Sequence, residues 1–134
     1  MSVLSSDRLL RMPARRLDGN AVAAAIRQEL GGEIAEVTRA LGRAPALSIL
    51  LVGDDPASQV YVSHKERSGG ENGIDVTVYR MPASSSRADV LKQVNMLNAD
   101  ETCDGILVQA PLPEAMGKGA AEEVFTRTDH ESTR

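Results

Sequence analysis

The run Ala46-Leu47-Ser48-Ile49-Leu50-Leu51-Val52 stops at Gly53 and contains a single small polar residue, Ser48. A short apolar stretch without polar alternation suits a strand covered on both faces, which is the situation of an interior strand in a parallel sheet. Two further runs read as strands. Asp75-Val76-Thr77-Val78-Tyr79-Arg80 alternates, and Asp104-Gly105-Ile106-Leu107-Val108 is stopped by Gln109 and the prolines of Pro111-Leu112-Pro113.

Helical patterns fill the intervals. Behind Asp18 as N-cap, Val22, Ile26, Leu30, Ile34, Val37 and Leu41 recur at spacings of three and four, and Gly42 closes that stripe. Gly31 and Gly32 lie inside it and cost about 1 kcal/mol each relative to Ala. The loop Gly53-Asp54-Asp55-Pro56 leads to a second helix expected from about Ala57 to Asn72, with Gly73 ending it. Ser86 and Asp89 give a capping-box start to a third helix carrying Val90, Val94 and Leu97. A last helix is expected from Glu114 or Gly119 to Phe125. Helices alternating with buried strands make βαβ units, so the fold class is α/β: three layers around a short parallel sheet, in a single domain. That domain is drawn at 17–125. Residues 1–16, rich in Ser and Arg, read as a flexible extension, and the polar stretch 126–134 as a flexible tail.

Composition removes several functions. Lys and Arg number 15 against 19 Asp and Glu, a net charge of −4, so the basic face that a nucleic acid requires is missing. Tyr61, Tyr79 and Phe125 are the only aromatics, too few for a base-stacking platform. The longest apolar run is too short to cross a bilayer, so no membrane partner is expected. Cys103 is alone, which precludes an internal disulfide and fits a reducing, cytoplasmic setting. Cys103, His64 and His130 lack metal-ligand spacing, and no metal is expected.

Sheets of this kind bind ligands beyond the carboxyl ends of their strands. Here those ends are Gly53-Asp54-Asp55, Arg80-Met81-Pro82 and Gln109-Ala110-Pro111. Tyr61 and Lys65, at i and i+4, share one face of the second helix. A phenol beside an ammonium suits proton transfer when the lysine is partly desolvated, and Gln109 is placed to hydrogen-bond in the same cleft. The plainer role remains open: Tyr61 packed on the sheet and Lys65 snorkelling to water, a common fate of such pairs. Asp54 and Asp55 read as turn formers rather than a catalytic carboxylate pair. Gly117-Lys118-Gly119 lacks the spacing of a phosphate loop, and Ser58 with His64 has no acid partner for a hydrolase triad.

The segment Val52-Gly53-Asp54-Asp55-Pro56-Ala57-Ser58-Gln59-Val60-Tyr61-Val62-Ser63-His64-Lys65 resembles the first signature of bifunctional methylenetetrahydrofolate dehydrogenase/methenyltetrahydrofolate cyclohydrolase. Asp104-Gly105-Ile106-Leu107-Val108-Gln109-Ala110-Pro111-Leu112-Pro113 resembles the second. Leu17-Asp18-Gly19 and Leu97-Asn98-Ala99-Asp100 fit that family's opening and the stretch before its second signature, so the likeness runs collinearly from about Leu17 to Phe125. The resemblance implies a tetrahydrofolate derivative as ligand, Lys65 as the catalytic group, Tyr61 stacking on the folate, and Gln109 hydrogen-bonded to the lysine. It also places Ser58, Ala110, Pro111 and Leu112 at the substrate.

This sequence departs from the family in informative places. The family's second, Rossmann-type domain is expected to be missing, and no glycine-rich dinucleotide turn follows a strand, so NAD(P) is not expected. Where a family Asp-x-Asp-Gly segment binds the pterin, this chain reads Arg127-Thr128-Asp129-His130-Glu131-Ser132. Asp129 and Glu131 replace the family aspartates only with a one-residue shift; in straight register the second becomes Ser132. Ala110 stands where leucine is usual and widens the pocket. Gly69-Gly70 replace better helix formers beyond Lys65, loosening the helix by roughly 2 kcal/mol.

The resulting expectation is a folate-dependent one-carbon enzyme without its own hydride-transfer domain, acting on 5,10-methylene- or 5,10-methenyltetrahydrofolate. Two alternatives stand beside it. One passes the methylene carbon, as a formaldehyde equivalent, to a small-molecule acceptor in a Mannich or Pictet–Spengler-type closure. The other is a non-catalytic folate-binding protein. One face of the sheet, which the longer family covers with a C-terminal helix, is expected to lie open here, so a homodimer is expected to bury that apolar surface.

Overall fold

The computed structural model describes residues 17–129. In chain order the elements are α1 (Gly19–Leu41), β1 (Ala46–Val52), α2 (Pro56–Glu71), β2 (Asp75–Met81), α3 (Arg87–Asn98), β3 (Gly105–Val108), a short 3-10 turn (Glu114–Met116) and α4 (Ala120–Asp129). The three strands form one parallel sheet in the order β2-β1-β3. β1 lies in register with β2 from Ala46 opposite Asp75 to Val52 opposite Met81, and with β3 from Leu47 opposite Gly105 to Leu50 opposite Val108.

The alternation of side chains on β1 builds two cores. Ile49 and Leu51 join Val76, Val78 and Leu107 against Val62 of α2. Leu50 and Val52 join Tyr79, Ile106 and Val108 on the other face, against Val90, Val94 and Leu97 of α3 and Ala120 and Val124 of α4. The connection β1-α2-β2 steps one way across the sheet and β2-α3-β3 steps back over β1. With right-handed crossovers, the two helices must then lie on opposite faces. Ile49 and Leu50 are fully buried, each contributing about 1.5–3 kcal/mol on transfer from water. The α/β class and the three-layer parallel arrangement are therefore those expected from the sequence.

Local chemistry sets the ends of the helices. Asp18 accepts from the backbone N–H groups of Asn20 and Ala21, both at 3.1 Å, and Gly42 ends α1 in the left-handed region at φ 71°. Ser86 and Asp89 exchange the two hydrogen bonds of a capping box at the start of α3.

Four features differ from the sequence expectations. α4 continues through Asp129, four residues beyond Phe125, so 126–129 are helical rather than a tail. The reason is hydrogen bonding without apolar periodicity: Thr126 donates to the carbonyl of Glu122, Thr128 to that of Phe125, and Asn98 of α3 to that of Arg127. β3 begins at Gly105 because the Asp104 carboxylate is engaged elsewhere, accepting from the Arg43 guanidinium at 2.6 and 3.0 Å and from the Ala46 N–H at 2.8 Å. Gly69 does more than loosen α2, since a Cβ there would collide with Cγ2 of Val76. Its lack of a side chain lets α2 approach β2. Finally, α1 buries none of its residues, and of its apolar stripe Val22, Ile26, Leu30, Val37 and Leu41 are exposed. The open apolar surface lies on this helix, not on a bare face of the sheet. The expected extension 1–16 lies outside the described residues.

Candidate active site

β1 and β3 are neighbours in the sheet, yet the chain leaving β1 enters α2 on one face and the chain leaving β3 reaches α4 on the other. Divergence of adjacent connections opens a crevice beyond the carboxyl ends of the strands. Gly53, at φ 90°, ends β1 through an N–H bond to the Met81 carbonyl and packs against Ala83 and Pro113. α2 starts at Pro56 with the Asp55 carboxylate accepting from the Ser58 N–H at 2.7 Å. The hydrogen bond from that N–H holds the Asp55 carboxyl below the usual carboxylate range. Asp54 contributes its carbonyl to the Gln59 side chain at 3.2 Å. The two aspartates are thus turn and cap residues, as their loop suggests.

From this start, α2 carries its functional side chains toward the end of β3. Gln109 follows β3 directly, its N–H bonded to the Leu50 carbonyl at 2.9 Å, so its side chain emerges from the rigid part of the sheet. Lys65 Nζ donates to Gln109 Oε1 at 2.6 Å, while Gln109 Nε2 donates to the Ala110 carbonyl at 2.8 Å. The second bond fixes which amide atom meets the lysine: Nε2 is occupied as a donor and Oε1 is left to accept. Ser58, buried one turn before Tyr61, donates to the same Ala110 carbonyl at 3.4 Å. Four of the expected residues, Ser58, Lys65, Gln109 and Ala110, therefore meet through one carbonyl and one amide, joining α2 to the chain leaving β3.

Tyr61 stands 62% exposed, which removes the reading in which its ring packs on the sheet. It lines a groove of about 450 Å³ together with Lys65, His64, Ser68, Arg67 and Glu71 of α2 and Arg27 of α1. Pro111 is exposed at the rim, and Leu112 is half-buried against the α3/α4 core, where it anchors the loop beside the crevice. Asp129 is the last residue of α4; its side chain, together with Glu131, lies outside the described residues. Among the described residues no three His, Cys, Asp or Glu side chains are grouped to hold a metal, and no helix is long and apolar enough to cross a membrane. The Cys103 thiol donates to the Ser48 hydroxyl at 3.2 Å, among the residues at the amino ends of the strands.

Sequence reasoning located Tyr61 and Lys65 from their i, i+4 spacing, and the same helical face extends to His64 and Ser68. It gave no sign of Arg27, whose place in the groove depends on how α1 lies beside α2. The family model for the tetrahydrofolate dehydrogenase/cyclohydrolase catalytic domain matches residues 17–130. The chain belongs to this family. It is 48% identical over 103 residues to the bifunctional protein FolD of Moorella thermoacetica, covering 77% of this chain and 36% of that one. The bifunctional protein FolD of Rhodopirellula baltica is 46% identical over 108 residues, covering 81% of this chain and 36% of the relative. This chain therefore spans little more than a third of the relatives it matches.

Solved structures of the family superpose on the same region. The N5,N10-methylenetetrahydrofolate dehydrogenase-cyclohydrolase of Trypanosoma brucei, complexed with NADP and an inhibitor, gives a TM-score of 0.75 at 37% identity over 84% of this chain and 39% of that one. The 5,10-methylenetetrahydrofolate dehydrogenase of Bombyx mori gives 0.73 at 38% identity over 79% and 37%.

Proposed function

We propose that this chain is a folate-dependent one-carbon catalyst working on 5,10-methylene- or 5,10-methenyltetrahydrofolate in the Tyr61/Lys65/Gln109 crevice. The observation that carries the reading is the 2.6 Å bond from Lys65 Nζ to Gln109 Oε1. An amine of a helix is held by an amide at the end of a strand, so its remaining valences are aimed at whatever occupies the crevice. Tyr61 offers an exposed ring in the same groove, suited to lying against the flat aminobenzoyl part of a folate.

The chemistry that this arrangement serves best is hydration of the methenyl carbon. A water O–H bond breaks as the C–O bond forms, with Lys65 Nζ placed to accept the proton. The C–N bond then breaks as the lysine ammonium delivers a proton to the departing nitrogen, and the carbinol O–H releases its proton to water as the C=O bond forms, leaving the 10-formyl product and one proton. Gln109 acts through the lysine: its carbonyl oxygen takes one N–H and so orients the amine.

The groups gathered here, an amine, an amide and an exposed phenol ring, hold and move protons, and the redox-neutral half-reaction is the part of the chemistry that we assign to them. The exposed stripe of α1 supports a homodimer, since five large apolar side chains on one helix face are costly to leave in water. A monomer by sedimentation at micromolar concentration contradicts that assembly. The lone Cys103 accords with a reducing cytoplasm.

Calorimetric titration with 5-formyltetrahydrofolate, a stable folate, tests the reading. Saturable binding with one site per chain is expected. An absence of heat at millimolar ligand overturns it.

A further inference from the structure

The chain carries a net charge of −4, yet the groove leading from Lys65 collects positive charge. Arg27 of α1 and Arg67 of α2 face it beside Lys65, with Glu71 the one carboxylate among the lining residues. Neither arginine makes an ion pair among the described residues, whose two salt bridges join Arg43 to Asp104 and Arg87 to Glu123. Arg67 reaches only the ring of His64, at 3.4 Å. Guanidinium groups gathered in a concave site without carboxylate partners match the planar, bidentate geometry of a ligand carboxylate.

The groove is continuous with the crevice through Tyr61 and Lys65, which line it. A folate whose reactive carbon lies at Lys65 and whose aminobenzoyl ring lies on Tyr61 must send its glutamyl carboxylates onward from that ring. The geometry points to the α1–α2 groove as the carboxylate subsite for this anionic end, with Arg27 and Arg67 as its specificity residues; this rests on the folate reading above. α1 has no buried residue to justify its position against α2, and holding one wall of this groove gives the helix a role that packing does not. A substrate extended by further γ-linked glutamates gains from the same charge.

The test uses two ligands and one substitution in the full chain. Binding of 5-formyltetrahydrofolate is compared with that of 5-formyltetrahydropteroate, which lacks the glutamate, for the native chain and for Arg27→Gln. The native chain is expected to favour the glutamate-bearing ligand by about tenfold, the scale of one charge-assisted contact. Arg27→Gln should reduce that preference to about twofold while leaving the affinity for the pteroate unchanged, and Arg27→Lys should restore part of it. The pteroate arm serves as the folding control, because an unfolded variant loses both ligands. An unchanged preference in a variant that still binds pteroate overturns the subsite alone. If the native chain binds neither ligand, the subsite and the folate reading fall together.

Discussion

α1 is 23 residues long and buries none of them, whereas α2 is 16 residues long and buries Ser58 and Val62 while delivering Lys65 to Gln109. By local criteria α1 is the better helix: it has an acidic N-cap, a glycine C-cap and a six-residue apolar stripe. α2 has a weaker apolar pattern and two adjacent glycines near its end. The contrast separates two requirements that a sequence pattern merges. Periodicity and caps decide whether a segment becomes a helix, and a complementary surface decides whether that helix docks. α2 lies over β1 and β2 because Val62 fills the space beside Ile49 and Leu51 and because Gly69 admits Val76.

The largest expected difference comes from truncating one apolar side chain in each helix. Val62→Ala removes a fully buried group and should cost about 1.5–3 kcal/mol in urea unfolding, whereas Ile26→Ala should stay within about 0.5 kcal/mol at concentrations where the chain is monomeric. Equal losses would mean that α1 is docked after all. A smaller but sharper contrast lies within α2. Gly69→Ala should destabilise by about 1–3 kcal/mol through collision with the stiff Val76 side chain, while Gly70→Ala, facing open space, should stabilise by about 0.5–1 kcal/mol. Changes of the same sign at the two positions would contradict the close approach of α2 to β2.

The smallest effect concerns acid. Asp55 capping α2, Asp89 capping α3 and Asp104 clamped by Arg43 are all held below the usual carboxylate range, by Ser58, by Ser86 and by the Arg43 guanidinium respectively. Each folded pKa lies below the unfolded one, so the stabilisation is complete above the unfolded value of about 4 and is lost as pH falls through the folded values. Denaturant midpoints should therefore fall from about pH 5 downward, and more gently in Asp104→Asn, which starts from a lower stability at pH 7. A steeper acid dependence in that variant would contradict the assignment.

Much of this was legible from residues alone. β1 has the bounds that its apolar run announces, and the capping box of Ser86 and Asp89 forms as written. The pairing of Lys65 with Gln109 was suggested by strand-end logic and by the two family signatures. What the sequence leaves out depends on contacts between elements. The extension of α4 rests on polar bonds, including one from Asn98 of α3. The need for glycine at 69 arises only when β2 is placed against it. The α1 stripe forms the helix that its spacing announces yet stays exposed, because periodicity identifies an apolar face without naming its partner. Arg27 was invisible for the same reason, its neighbours lying on another helix.

The central claim is that the Lys65–Gln109 bridge between α2 and β3 is the working unit of the crevice. Its direct test is the decay of 5,10-methenyltetrahydrofolate absorbance in the presence of the purified chain, compared with Lys65→Met and Gln109→Leu. The native chain should accelerate hydrolysis, and Lys65→Met should abolish the acceleration, a loss of about 10²–10⁴-fold, with urea stability changed by less than about 0.5 kcal/mol. Gln109→Leu should leave partial activity with an altered pH profile, since it acts through the lysine. Full turnover in Lys65→Met would contradict the account.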